Sequence, residues 1–509
     1  MPRSLRRTRA LSLTGACAAA VLLVAGTVEW VSGGSSSDER VSFAGAAYPN
    51  IDRSNTRHLD GPIRTATVSK LELAWMLPVA AQSSIAIYSS SPVVTGGVAY
   101  WEDLASNVKA ISVKSGELLW EKSYGSPNEG PNGVVVGDGR VYGATTTTAF
   151  ALDQETGEEL WSTNLSRGNE EIQMAPAHHG GLIYVSTVPT AHGGEIGVLW
   201  ALDAKTGRRA WSFDTVPKAL WGNPSINFGG GLSHTPAFDG KGSMYFGVGP
   251  PGPVAGTARY PWGSSRPGQN LYTGSIVKLD AKTGKLQWHY QVTPHALCNW
   301  GLEAPVILLK AGGRDLVVGA GKSGIVVALD RSDGHLVWRR PVGIHNGHDN
   351  DGLRAMRGEY SKLTTPMTIY PGTSGGVAAP LSASDSTVFV PVVNRATTLF
   401  TQRTGLSEGP NTGELVALDA ASGTVRWKRI FPETTLGATL TVNDVLFTST
   451  LDGSVRGFDA GDGSDVWEAS LPAGVDAGAT AEGGTLLVPA DIVSSERQAP
   501  KFVAYRLRR

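Results

Sequence analysis

The segment SIVKLDAKTGKLQW, residues 275–288, has the pattern of two short strands joined by a tight turn. Apolar and β-branched residues begin it, as expected for a half-buried strand. Asp280 and Thr283 have side chains that hydrogen-bond turn backbone, and Gly284 readily adopts the positive φ that such a turn needs. Trp288 then follows four residues after the glycine. The segment therefore predicts a β-hairpin that carries a tryptophan on its second strand.

The same pattern recurs along the chain. Seven glycines are each followed by a tryptophan four residues later, at Gly116/Trp120, Gly157/Trp161, Gly207/Trp211, Gly284/Trp288, Gly334/Trp338, Gly423/Trp427 and Gly463/Trp467. Six of the seven have an aspartate four residues before the glycine, and the first has Ser112 there. Trp75 is a further tryptophan without such a turn. Repeats of roughly 40–50 residues built of short strands predict a β-propeller, and these eight tryptophans predict eight blades.

The C-terminal segment Lys501–Leu507, KFVAYRL, resembles the strand that precedes each of these turns. We expect it to complete the first blade, to which Trp75 belongs, because closing the ring would remove free sheet edges. The prediction is an all-β fold, an eight-bladed β-propeller over residues 63–509 that is closed by the C-terminal strand. The recurrent tryptophans are expected to pack between neighbouring blades.

The first residues have the pattern of an export segment. Several arginines precede an uncharged run from Ala10 to Val28, which Glu29 ends. Such a run, at about 19 residues, suits the apolar core of a signal peptide and is also long enough to span a bilayer. Residues 1–31 are therefore a cleaved signal peptide or an N-terminal membrane anchor, and residues 32–62 a flexible linker. Either alternative predicts an extracytoplasmic protein, secreted or anchored to the cell membrane.

Composition excludes several classes of function. The net charge is −1, so no basic field favours nucleic acid or anionic lipid, and we expect no nucleic-acid partner. The two cysteines are Cys17, inside the leader, and Cys298. The exported domain therefore has no internal disulfide, and Cys298 is interpreted as a buried thiol.

Two intervals between successive tryptophans are longer than the others, Trp211 to Trp288 and Trp338 to Trp427. Extra length in such folds forms surface loops, where ligands bind. The first insertion contains the proline- and glycine-rich residues 249–268, and the second contains HNGHDNDG, residues 345–352. We expect a functional site where the two insertions meet.

The chain resembles the pyrroloquinoline quinone (PQQ) dehydrogenases, quinoproteins that oxidise alcohols outside the cytoplasm. The resemblance is densest over residues 193–291, in GGEIG, ALDAKTGRRAWSFDTVP, GGG, YFGVGPPGP and RPGQNLYTGSIVKLDAKTGKLQWHYQ. It implies PQQ as cofactor, with calcium or another hard divalent or trivalent cation beneath it, and a small alcohol-like substrate. No C-x-x-C-H haem motif is present in the sequence. Electrons would therefore pass to a separate acceptor, such as a cytochrome or a membrane quinone.

The resemblance also implies roles for individual residues. Glu195 matches the glutamate that binds the metal, and Lys322 matches the cation beside the quinone oxygens. Asn299 falls where the family has an aspartate that is both catalytic base and metal ligand. The positions of the other quinone contacts are held by Asn132, Gln173, His234 and Asn394. An amide still binds metal but is not a useful base at neutral pH, and Pro250 replaces a further metal ligand, so the resemblance implies a non-standard pocket.

Two interpretations of this pocket remain open. In the first, the protein is a quinoprotein-type dehydrogenase whose site was rebuilt, and an alternative metal site lies in the second insertion, at His345, His348, Asp349 and Asp351. The alternative to a metal site is that this loop is a polar segment with aspartate–glycine turns. In the second, the protein is a non-catalytic propeller that has lost the quinone site and acts as an extracytoplasmic binding or assembly scaffold, as the outer-membrane assembly lipoproteins with this repeat do.

Overall fold

The computed structural model describes residues 47–79, 90–190, 194–406, 409, 411–432, 434, 437–475, 477–490 and 500–508. The predicted leader, residues 1–31, lies outside the described residues. Among those described, no helix has the length and apolar character needed to cross a membrane. The helices described are one α-helix, Asp351–Met356, and three 3-10 turns, Val68–Lys70, Leu220–Gly222 and Tyr360–Lys362. All other regular structure in this part of the chain is β.

The described strands form eight sheets of four or five strands, numbered here in chain order. Sheets 1 to 4 consist of Leu71–Pro78, Lys501–Leu507, Thr485–Ala490 and Thr480–Glu482; of Val93–Thr95, Val98–Glu102, Val108–Ser112 and Leu118–Lys122; of Val135–Gly137, Arg140–Ala144, Thr148–Asp153 and Glu159–Asn164; and of Glu170–Ile172, Ala177–His179, Leu182–Pro189, Val198–Asp203 and Arg209–Asp214.

Sheets 5 to 8 consist of Ala237–Phe238, Ser243–Gly247, Ser275–Asp280 and Leu286–Gln291; of Ile307–Ala311, Arg314–Ala320, Ile325–Asp330 and Leu336–Pro341; of Ser382–Ala383, Thr387–Asn394, Thr412–Asp419 and Val425–Phe431; and of His58–Leu59, Leu440–Val442, Val445–Ser449, Ser454–Asp459 and Asp465–Ser470. Two smaller sheets lie in the insertions. They pair Phe228–Gly229 with Pro251–Gly252, and Met367–Ile369, Thr397–Phe400 and Arg403–Leu406 with one another.

The hairpin of residues 275–288 has the predicted turn. The Asp280 carboxylate accepts hydrogen bonds from the Thr283 backbone N–H (2.8 Å) and hydroxyl (2.7 Å). Gly284 has φ +70°, and a Cβ there would lie 2.5 Å from the indole of Trp211. A glycine is therefore required both for the left-handed backbone and for the contact with a tryptophan of the preceding sheet.

The same contact joins every pair of consecutive sheets from sheet 1 to sheet 8. The tryptophan–glycine pairs are Trp75/Gly116, Trp120/Gly157, Trp161/Gly207, Trp211/Gly284, Trp288/Gly334, Trp338/Gly423 and Trp427/Gly463. Trp467 of sheet 8 then packs edge-on against Tyr505 of sheet 1, with ring centroids 5.1 Å apart. The prediction that these tryptophans pack between neighbouring blades is confirmed.

The C-terminal strand lies in the same sheet as the first long strand of the described chain. Lys501–Leu507 is an inner strand of sheet 1. It pairs with Leu71–Pro78 on one side and with Thr485–Ala490 on the other. The C-terminal strand thus shares a sheet with the strand that carries Trp75, as the sequence predicts.

Residues 47–62, within the stretch predicted as a linker, run along the first strands of several sheets. The backbone carbonyls of Arg53, Ser54, Thr56 and Arg57 accept hydrogen bonds from Phe238, Leu308, Ala383 and Thr441, in sheets 5, 6, 7 and 8 respectively. The Arg57 side chain is completely buried, and its guanidinium donates to the carbonyls of Thr439 (2.7 Å) and Ala479 (2.8 Å). Burial lowers the pKa of Arg57 to about 10. The sequence did not indicate these contacts, and the domain boundary at residue 63 stays a prediction.

Candidate functional site

The two insertions meet over the segment of residues 295–300. Ala255 and Trp262 of the first insertion belong to one buried apolar cluster with Leu363 and Met367 of the second. The backbone N–H of Trp262 donates to the carbonyl of Thr401 at 3.0 Å. Cys298 lies inside this cluster, and burial raises the pKa of its thiol to about 12. Cys298 is therefore a buried thiol.

Beside this segment lies a cavity of about 180 Å³, which we call the central pocket. Its walls are Gln173, Val188, Pro189, Phe228, Gly229, Gly230, Ser233, Gly249, Pro250, Pro251, Gly252, Val254, Asn299 and Glu303. Most of this lining is apolar or glycine. The polar side chains are those of Gln173, Ser233, Asn299 and Glu303, and Glu303 is the ionisable one among the described lining residues.

One wall of the central pocket depends on a glycine. The strand Phe228–Gly229 pairs antiparallel with Pro251–Gly252. Gly229 has φ +140°, and a Cβ there would lie 2.7 Å from the carbonyl oxygen of Pro250. Only glycine allows the two segments to approach this closely, so the run Gly229–Gly231 forms the wall that places Pro250 at the pocket.

Glu303 forms an ion pair with Lys322. The Lys322 ammonium lies 2.5 Å from a carboxylate oxygen of Glu303, and the two side chains are 13% and 14% exposed. The Lys322 backbone N–H donates to the carbonyl of Gly301 at 3.3 Å, which fixes it beside the segment that carries Asn299. Sequence reasoning missed Glu303, although it lies only four residues after Asn299. Nothing in the sequence pattern shows that it pairs with Lys322.

Glu195 lies against the same wall, because its backbone carbonyl accepts a hydrogen bond from Gly229 (3.3 Å). One carboxylate oxygen accepts from the Asn169 amide at 3.2 Å, and the other is buried without a partner among the described residues. An unpartnered carboxylate oxygen fits one ligand of a hard cation. Anywhere in the described part of the chain, around Glu195 included, no three His, Cys, Asp or Glu side chains are grouped closely enough to hold a metal ion.

Asn132 is bound to a second acid that sequence reasoning missed. Its amide donates to the carboxylate of Glu102 at 3.0 Å, and the backbone N–H of Gly133 donates to the other oxygen at 3.2 Å. Glu102 is completely buried. Burial raises the pKa of Glu102 well above its usual value, although the hydrogen bond from Asn132 opposes the shift. The Asn132 amide is therefore engaged with a buried carboxyl group.

His234 and Asn394 are likewise occupied by the protein. Burial, helped by the charges of Arg57 and Lys322 and opposed by a hydrogen bond with the Ala378 backbone, lowers the pKa of His234 to about 4, so the imidazole is neutral at pH 7. The Asn394 amide donates to Glu414 at 2.9 Å, and its oxygen accepts from the backbone N–H of Ile344 at 2.9 Å.

The loop of the second insertion holds two separate pairs rather than one cluster. His345 Nδ1 lies 2.8 Å from a carboxylate oxygen of Asp349, and His348 Nδ1 lies 2.7 Å from one of Asp351. The other Asp351 oxygen accepts from Arg354 at 2.6 Å. The structure does not bring the four predicted loop ligands together.

The residues present do not fit PQQ in the manner that the resemblance implies. A quinone with three carboxylates needs free cations or amide donors around it. In this chain Lys322 is paired with Glu303, while the amides of Asn132 and Asn394 are engaged by Glu102 and Glu414. The ionisable group that faces the central pocket is itself a carboxylate.

Two protein-family models match parts of this chain. A family model described as outer membrane protein assembly factor BamB matches residues 104–243 and 367–508, more than half of the chain. A second, described as the β-propeller domain of glucose, ethanol and alcohol dehydrogenases, matches residues 193–379. The chain is similar to the quinohemoprotein alcohol dehydrogenase of Comamonas testosteroni, with 28% identity over 508 aligned residues that cover 86% of this chain and 69% of that one.

Solved structures of the same two kinds of protein are also similar to this chain. The crystal structure of the quinohemoprotein alcohol dehydrogenase from Comamonas testosteroni matches with a TM-score of 0.77 and 25% identity, over 91% of this chain and 80% of that one. BamB from Moraxella catarrhalis matches with a TM-score of 0.54 and 14% identity, over 86% and 97% of the two chains, which shows a shared fold alone. The resemblance to PQQ-dependent alcohol dehydrogenases and the all-β propeller fold are confirmed.

Proposed function

The chain belongs to the PQQ_2 family of repeat proteins, whose model is described as outer membrane protein assembly factor BamB, and we propose that it is an exported propeller of the dehydrogenase type that binds an alcohol-like small molecule. The observation that carries this proposal is the alcohol dehydrogenase match over residues 193–379, which contains Glu195, Asn299 and Lys322 and most of the central pocket. The similarity to the quinohemoprotein alcohol dehydrogenase of Comamonas testosteroni supports the same proposal.

We further infer that the eight sheets are eight blades of one ring. The order of the tryptophan–glycine contacts, and the place of Lys501–Leu507 in sheet 1, support this inference. The proposed protein has an export leader over residues 1–31, a linker over residues 32–62 and the propeller over residues 63–509. This arrangement places the domain outside the cytoplasm, secreted or anchored by the leader.

The full form of the proposal is oxidation of the alcohol with transfer of the electrons to a separate acceptor, such as a cytochrome or a membrane quinone. Asn299 and Lys322 then hold the catalytic positions, and Glu195 with Asn299 offers oxygen ligands to a hard cation such as calcium. The donor set described above argues against PQQ in the family's binding mode. The redox group of the full form therefore has to be identified by experiment.

Two measurements on the purified protein test the proposal. Binding of small alcohols is measured by ligand-detected NMR, and oxidation is measured by bleaching of a redox dye, with and without added PQQ and calcium. Alcohol binding that weakens at least about tenfold in Asn299→Leu, which fills the central pocket, is expected. Alcohol-dependent bleaching would establish the full form. A wild-type protein that neither binds nor oxidises alcohols would contradict the proposal.

A non-catalytic scaffold is the second candidate function. It is favoured by the Glu303–Lys322 pair, which neutralises the cation of the site, and by the assembly-factor match over residues 104–243 and 367–508. On this candidate the protein binds a macromolecular partner outside the cytoplasm, and the central pocket has no ligand. Failure of the alcohol measurements, with a partner recovered by cross-linking in intact cells and lost when the propeller surface is altered, would establish it.

A further inference from the structure

We propose that Glu303 sets the charge preference of the central pocket, so that the pocket accepts an uncharged hydroxyl compound and rejects anions, PQQ among them. The inference rests on the proposed function, because it names the class of ligand for the same pocket. It begins with a residue that neither the sequence pattern nor the family resemblance points to.

The position of the Glu303 carboxylate carries the argument. Glu303 is the ionisable side chain among the described residues that line the pocket, and it is 14% exposed. Charges in such a poorly hydrated place interact far more strongly than charges in water. A carboxylate that enters the pocket therefore meets a like charge at short range.

Lys322 does not relieve this repulsion, because its ammonium lies 2.5 Å from the Glu303 carboxylate. The Glu303–Lys322 pair has no net charge, and an incoming anion would have to displace Glu303 to reach the cation. The described lining of the pocket holds no lysine, arginine or histidine that would offset the charge of Glu303. The charged groups around the pocket thus disfavour anions.

The remaining polar lining suits a hydroxyl group. Gln173, Ser233 and Asn299 offer uncharged donors and acceptors, and the rest of the wall is apolar or glycine. A few placed polar groups in an apolar cleft are typical of a site for a small neutral ligand. The pocket therefore fits a hydroxyl compound without a carboxylate.

The test uses PQQ as an anionic probe, with binding measured by equilibrium dialysis. Glu303→Gln keeps the shape of the side chain and removes its charge, so the positive charge of Lys322 is no longer neutralised by Glu303. We expect PQQ to bind this variant about tenfold or more tightly than the wild type, with an affinity that falls more steeply with salt. The gain should disappear in Glu303→Gln combined with Lys322→Met.

The matched control is Glu359→Gln, which removes the same charge from a surface pair with Lys362 and should leave PQQ binding unchanged. Wild-type protein that binds PQQ as tightly as Glu303→Gln would overturn the inference. A second comparison needs no variant: the wild type should bind the uncharged trimethyl ester of PQQ more tightly than PQQ, and the opposite order would also overturn it. If alcohols fail to bind but the Glu303→Gln gain is present, the proposed function and the preference for a hydroxyl compound fall, and the exclusion of anions by Glu303 stands.

Discussion

At the scale of single residues, Glu102 shows how the pocket region departs from the resemblance. Its carboxyl group ends the strand Val98–Glu102, has no exposed surface and is held by Asn132 and Gly133. Burial raises the pKa of Glu102 well above its usual value, and the charge of Asp103 adds to the shift against the hydrogen bond from Asn132. The folded protein therefore holds a proton at Glu102 that the unfolded chain releases above about pH 4.5.

Glu102→Gln should consequently change the pH dependence of stability. In the wild type, the folded state binds more protons than the unfolded state between about pH 4.5 and the raised pKa of Glu102, so stability falls as pH rises through that range. The variant lacks this loss, and we expect its Tm to exceed that of the wild type by several degrees at pH 8 and to equal it near pH 4. Thermal denaturation followed by circular dichroism over this pH range measures the difference. Exposed Glu155→Gln is the control, and parallel wild-type and Glu102→Gln profiles would contradict the prediction.

Sequence alone could place part of this site. The resemblance led to Gln173 and Asn299, which line the central pocket, and to Glu195 beside it. It could not show that Glu303 and Lys322 pair, because they come from separate loops that only the folded sheets bring together. The His–Asp spacing of the loop at residues 345–352 suits two local pairs as well as it suits a metal site, and the structure has the pairs.

At the scale of elements, the repeated turn was predictable because each of its parts is local. The aspartate, the threonine or serine and the glycine hydrogen-bond or bend the backbone within five residues, so the sequence pattern is sufficient. The partner of each glycine was not predictable from the turn itself. It is the tryptophan of the preceding sheet, which lies far away along the chain.

Gly284→Ala tests how much the contact between Gly284 and Trp211 contributes to stability in addition to the left-handed backbone at Gly284. A Cβ at residue 284 adds strain at φ +70° and meets the Trp211 indole at 2.5 Å. We expect a loss of about 3 kcal/mol in the free energy of unfolding, since overpacking costs about 1–3 kcal/mol and left-handed strain about 1–2 kcal/mol. Urea denaturation measures the loss.

Gly240→Ala is the matched control for that prediction. Gly240 also has φ +70°, but a Cβ there meets nothing within 4 Å. Its substitution should therefore cost only the backbone term, about 1–2 kcal/mol. Equal losses for the two variants would mean that the tryptophan–glycine contact contributes no specific packing.

At the scale of the whole molecule, the two ends of the described chain differ in how far the sequence reveals them. Lys501–Leu507 has the same apolar pattern as the repeated strands, so its place in sheet 1 could be inferred. Residues 47–62 have no such periodicity, and the sequence predicts a linker there. Their polar groups match carbonyls and N–H groups on the first strands of sheets 5 to 8, a relationship that exists only after those sheets have assembled.

A protein that begins at residue 63 should therefore be less stable than one that begins at residue 47. The shorter protein loses the Arg57 donors to Thr439 and Ala479, and the Asn55 amide that donates to Thr235 and Val306. The backbone bonds to sheets 5 to 8 are lost as well. At about 0.5–1.5 kcal/mol for each hydrogen bond, with more for buried groups left unpaired, the loss should reach several kcal/mol. Differential scanning calorimetry of the two truncated proteins measures it, with the variant that begins at residue 47 as control. A protein that begins at residue 63 and melts within a degree of that control would show that the ring is stable without this segment.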